Sequence, residues 1–212
     1  DIYIAPFGLK EIYEGQARFT QIQFLYFASN KNLTWDNFEN LGMLSGVYFE
    51  AFKYFLEILE ENIPETIDNP LVGLFLLVCD ISINPGEGFP NEIQDFEQFI
   101  KNTDPGTRFI ELCKTIKKDF PEVKYQIVDY SSSEYFSISL KLCNNLNIPT
   151  PMEISEKINT WSSSIESIIK LMEEEKEFVF DEGNFPIRLI FSRFIKFQQD
   201  KLKNPAFFCW SG

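Results

Sequence analysis

Apolar side chains recur at helical spacing along almost the whole chain, in segments of 11 to 29 residues cut by short Pro, Gly and Asn turns. A period near 3.6 gives a helix one apolar face, whereas a half-buried strand needs a period of two. The chain is therefore expected to be all-α. From Gly8 to Asn30, Leu9, Ile12, Tyr13, Ala17, Thr20, Phe24 and Phe27 follow this spacing. Gly15 costs a helix about 1 kcal/mol relative to Ala, so it is expected to mark a close helix crossing.

A second helix is expected from Thr34, as N-cap, to about Asn62, with Pro64 ending it. Gly42 and Gly46, four apart, would share a face of it. Residues 70–83 are apolar on every side, which places that helix at the centre of a domain. The run Asn84-Pro85-Gly86-Glu87-Gly88-Phe89-Pro90 breaks it. That run lacks GK[ST], and Glu87 would repel phosphate, so it reads as a connector. Asn91 to Lys101 suggests a short amphipathic helix. Asp104-Pro105 supplies an N-cap and a proline at the first helical position for a helix running to Phe120.

Glu122 to Tyr130 allows either a short strand or continuity with a helix over Ser131–Asn145. Pro149-Thr150-Pro151 is the best linker. Helices are expected again from Met152 to about Lys176 and from Ile187 to Lys203, with a short apolar patch at Phe178-Val179-Phe180 between them. The expected architecture is a compact orthogonal or bundle-like domain of about seven or eight helices over 1–212, with a sub-domain break near 149–151. Its core is rich in phenylalanine, which occurs 23 times. No fixed-period repeat or low-complexity tract is present.

Composition removes several kinds of chemistry. The chain has no histidine, which excludes Ser-His-Asp and Cys-His relays and imidazole metal ligands. It has 32 acidic and 19 basic side chains, a net charge of −13. That balance argues against a nucleic-acid binder, which needs a basic footprint. Cys79, Cys113, Cys143 and Cys209 lie far apart without a CxxC. Cys79 and Cys113 read as buried thiols of a reducing compartment, and two disulfides are the lesser alternative. The longest apolar stretch, Leu71 to Cys79, is shorter than the roughly 20 residues a bilayer span needs. Asp1-Ile2-Tyr3 opens without a basic stretch or an apolar signal core. A cytoplasmic location is expected.

Four residues are candidates for a site. Glu14 and Arg18, with Gln21, lie on one face of the first helix. They are either a carboxylate and guanidinium facing a pocket or an exposed ion pair worth about 0.3–0.5 kcal/mol. Asp80 follows an apolar run, and a buried carboxylate needs a partner. It could turn to solvent at the helix end, join a structural pair, or act as a metal ligand or general acid. Arginine occurs four times against 15 lysines, so each is expected where a planar cation is required. Arg18 or Arg108 is expected to pair with Asp80 in the core.

No nucleophile motif surrounds the serine triplets 131–133 and 162–164. No catalytic residue, metal ligand or cofactor is assigned. Charge is uneven: residues 1–184 sum to −17 and residues 185–212 to +4. The function expected is binding of a basic protein partner through an acidic surface, in a regulatory, immunity-like or scaffold role. The alternative is an enzyme or small-ligand binder with a pocket of Glu14, Arg18, Asp80 and Arg108. An enzyme would bring those side chains onto open space, whereas a binding module would neutralise them and keep its apolar patch elsewhere.

Overall fold

Helices account for every regular element in the computed structural model, which describes residues 7–88, 91–93, 96–178 and 186–210, without side chains at 186–188. Eleven α-helices occur among the described residues. Three of them, α2 (Trp35–Asn40), α5 (Phe99–Thr103) and α11 (Pro205–Cys209), are six residues or shorter. The other eight are α1 (Leu9–Ala28), α3 (Val47–Leu59), α4 (Pro70–Ile83), α6 (Pro105–Asp119), α7 (Ser132–Leu146), α8 (Pro151–Ser164), α9 (Glu166–Lys176) and α10 (Pro186–Lys203). The all-helical, phenylalanine-rich fold expected from periodicity is the one observed. Two compact units form, Asp1–Pro151 with Ala206–Gly212, and Met152–Pro205.

The first unit is built around α4. Asn69 caps it by accepting the Leu71 N–H at 3.0 Å, and Pro70 takes the first helical position, where no N–H is needed. Every residue from Leu71 to Ser82 is buried. Helices α1 and α6 pack on it and α3 reaches it through Phe52 and Phe55 against Phe75, with Phe19, Phe52, Phe55, Phe75 and Phe109 all fully buried. Ring centroids lie 4.5 Å apart for Phe19–Phe52, 5.0 Å for Phe52–Phe75 and 6.2 Å for Phe75–Phe109. Each such side chain contributes about 1.5–3 kcal/mol by burial, and aromatic pairing adds about 0.5–1.5 kcal/mol. Gly15 sits at the α1 crossing, where a Cβ would lie 3.4 Å from Ala51 Cβ and 3.4 Å from Phe75 Cζ. Gly73 is tighter. A Cβ there would stand 2.7 Å from Ile127 Cγ2 and 3.0 Å from Tyr130 Cε1.

Several boundaries differ from the sequence expectation. The helix expected over 34–62 is broken into α2 and α3, because Gly42 (φ +70°) and Gly46 (φ +56°) take left-handed conformations. They turn the chain there and do not seat a second helix, since a Cβ on either meets nothing within 4 Å. Of the helix expected over 91–101, only α5 forms among the described residues. Residues 121–125 form a 3-10 turn rather than a strand. The segment 152–176 is divided by extended backbone at Ile165 into α8 and α9. The apolar patch at 178–180 lies outside the described residues except for Phe178.

The second unit has a smaller core of Ile154, Ile158, Ile168 and Ile195. Polar contacts supplement it. Ser155 Oγ donates to Gln198 Oε1 at 2.7 Å, joining α8 to α10. Glu175 on α9 accepts from Arg193 Nε at 2.6 Å, Lys196 Nζ at 2.7 Å and Ser192 Oγ at 2.6 Å, all on α10. Burial pushes the Glu175 pKa up. The Lys196 and Ser192 hydrogen bonds and the two cations outweigh it, so the carboxyl titrates below its ordinary 4.5. A lowered folded pKa means the contribution is complete above the unfolded value and is lost as pH falls through the folded one. Glu175→Gln is therefore expected to cost about 2 kcal/mol at neutral pH. Urea unfolding followed by circular dichroism should show that gap closing as the pH is taken well below 4.5. A gap that stays constant with pH would contradict the assignment.

All four cysteines are free and buried. Burial raises the Cys79 and Cys113 thiols above their ordinary range, which suppresses the thiolate. Ellman's reagent is expected to titrate no thiol in the native protein and all four in denaturant. Rapid reaction of a native thiol would contradict the packing.

Candidate functional site

The capped start of α6 positions the arginine that matters most. Asp104 Oδ2 accepts the Thr107 N–H at 2.7 Å, which sets the first turn and carries Arg108 beside the end of α4. The last carbonyls of any helix lack intrahelical donors and carry the negative end of its dipole. Arg108, 2% exposed, supplies both donors and charge. Its Nη2 donates to Ile81 O at 2.6 Å and Asn84 O at 3.2 Å, and its Nε to Ser82 O at 3.1 Å. Its Nη1 reaches Asn102 O at 2.8 Å. Burial brings its pKa down to about 10, still a cation at neutral pH.

Asp80, 3% exposed, has other partners. Oδ2 accepts from the Tyr135 hydroxyl at 2.7 Å, and Oδ1 from Asn84 Nδ2 at 3.1 Å. Burial, and then the Asp80 charge, hold the Tyr135 phenol well above its ordinary pKa, so it remains a donor. Arg108 thus spends its donors on backbone carbonyls and not on the Asp80 carboxylate. Asn84 connects the two, donating to Asp80 and accepting from Arg108.

Arg18 does not reach Asp80 either. It lies 4.2 Å from the centroid of the Tyr48 ring and donates to Gln21 Oε1 at 3.1 Å. Glu14, one turn away, forms no ion pair with it. The four candidates therefore do not converge on open space: two are sealed in the core and two lie on the flank of α1. Among the described residues no group of three Cys, Asp or Glu side chains is arranged to hold a metal, and no helix is long and apolar enough to cross a membrane.

Open space lies elsewhere. A groove of about 850 Å³ runs between α1, which contributes Ala17, Thr20 and Phe24, and a wall made by Tyr130, Phe207 and Trp210. Gln21 also lines it, so Arg18 lies at its edge. Tyr130 has φ +53°, an outlier for a bulky side chain, and such a conformation costs about 1–3 kcal/mol. Glu134 holds it, accepting the N–H groups of Val128 at 2.7 Å, Asp129 at 3.0 Å and Ser131 at 2.7 Å, and the Ser131 hydroxyl at 2.8 Å. Burial raises the Glu134 pKa, the N–H donors of Asp129, Ser131 and Val128 outweigh it, and the net shift is downward. Behind Tyr130 stands Trp210, its ring 5.6 Å away edge-on, its Nε1 donating to Gly73 O at 2.9 Å.

The groove was not anticipated from the sequence, although a signal for it exists. Helix α1 carries one apolar stripe at Ile12, Phe19, Ile22 and Tyr26 and a second at Leu9, Tyr13, Ala17 and Phe24 on its opposite side. A helix on the surface of a domain needs only the first. The first unit holds 22 acidic and 11 basic side chains, net −11 of the −13 total. No family model, curated protein or solved structure matches the chain.

Proposed function

We propose that the chain is a cytoplasmic binding domain that acts by engaging a basic protein partner, in a regulatory, immunity-like or scaffold role. One observation carries this reading. The buried charges that would serve chemistry, Asp80 and Arg108, are taken up by hydrogen bonds inside the core, while exposed aromatic side chains edge an open groove. Binding surfaces are built from such aromatic side chains. A unit of net charge −11 would steer a basic partner and repel an acidic one. The four buried free thiols suit a reducing compartment.

Capture of the tagged chain from its source cells at low and raised salt, with bound proteins identified by mass spectrometry, tests the reading. The expected result is a basic protein whose recovery falls severalfold between about 50 and 300 mM NaCl, as screening shortens the Debye length. Recovery of no protein, with a small molecule retained in native mass spectrometry, would overturn it.

A further inference from the structure

We infer that the groove between α1 and α11 is the docking site and that its occupant is the apolar face of a lysine- and arginine-rich amphipathic helix. This rests on the reading that the chain binds a basic protein, and names where and how. The outer stripe of α1 is exposed, with Leu9 at 50%, Tyr13 at 56% and Phe24 at 61%, and Phe207 faces it at 77%. From Leu9 to Phe24 the stripe is about 22 Å long, or about four helical turns. A partner helix presenting side chains at i, i+3 or i+4, and i+7 matches that length.

Strand addition is the competing mode of peptide recognition, and it needs a sheet edge. The described residues of this unit contain no strand. The wall is also pre-built. Glu134 fixes the left-handed Tyr130, and Trp210 backs it, so little ordering is left to be done on binding.

Charge selects the kind of helix. The groove lining contains no ionised side chain, so the occupant's inserted face is neutral. Around it, Glu14 lies one turn from Ala17 and Asp129 adjoins Tyr130, and neither forms an ion pair. Arg18, a cation at its edge, is stacked on Tyr48 and bonded to Gln21, and Lys203, three residues before Ala206, pairs with Asp200. Complementary cations on the partner would flank its apolar stripe.

The test uses two labelled peptides of about 16 residues, long enough to span the stripe. Both have the same Leu/Phe face, with lysine on the outer face of one and glutamate on that of the other. Fluorescence anisotropy is read on the wild-type chain and on a Phe24→Ser, Phe207→Ser double variant. Both residues are exposed, so the fold should persist. The lysine peptide should bind at least about tenfold more tightly than the glutamate peptide, and the double variant should lose at least about tenfold. Equal binding of the two peptides, or an unchanged double variant, would overturn the inference. So would a dimer that the double substitution dissociates, or a lipid found in the groove by native mass spectrometry. Cellular capture separates the two levels. If the double variant still recovers the wild-type chain's basic partner, the groove assignment fails and the binding function stands. If the wild type recovers none, the binding function itself fails.

Discussion

Arg108→Met is expected to destabilise the first unit by about 3–5 kcal/mol, because four hydrogen bonds from a charged donor, each worth about 1.5–3 kcal/mol, are lost while the cost of burying the cation is relieved. Methionine fills a similar volume, so the loss comes from carbonyls and not from a cavity. The buried oxygens of Ile81 and Ser82 and the half-buried ones of Asn84 and Asn102 would lose their Arg108 donors. Total stability is typically 5–15 kcal/mol, so the variant should melt lower by on the order of 10 °C. Lysine at this position keeps the charge but not the fork, and should recover only part of the loss. Differential scanning calorimetry on the three proteins decides the matter. A methionine variant within about 1 kcal/mol of wild type would show that the α4 terminus does not need this cap.

Trp210→Ala should be comparably damaging, at about 3–5 kcal/mol for a buried aromatic reduced to a methyl group. Trp210 is 2% exposed and touches Tyr130 and Tyr135 edge-on, at 5.6 and 6.1 Å between centroids. Its N–H bond to Gly73 O would also be lost. Trp210→Phe retains much of the volume and should cost less, about 1–2 kcal/mol. Urea unfolding monitored by circular dichroism separates these variants. Equal losses for alanine and phenylalanine would mean that the hydrogen bond, rather than the packing, anchors this residue.

Helix content was legible because apolar periodicity and Pro or Asn caps act locally. Pro70 and Asp104-Pro105 start α4 and α6 where the sequence places them. What failed depends on information that spacing does not carry. Gly42 and Gly46 have the four-residue spacing of one helix face, yet the sign of φ, not the spacing, decides their role. For Arg108 a sequence offers only carboxylates as partners, because only side chains are visible in it. Backbone carbonyls exist at every position and mark none. Leu9, Tyr13 and Phe24 follow the same helical spacing as Ile12, and periodicity alone does not say which of two stripes meets the protein. The five-residue α11 is too short to display a period.

Trp210 meets Gly73 across 137 residues of intervening chain. Translation at about 5–20 residues per second separates their emergence by roughly 7–27 s. During that interval α4, buried from Leu71 to Ser82, is already made, and its flank at Gly73 still awaits Trp210. Met152–Pro205 is synthesised within the same window and can collapse on its own isoleucines before the earlier unit closes. Nascent chains of this protein should therefore bind chaperones most strongly at lengths just short of Trp210, and release them abruptly once it emerges.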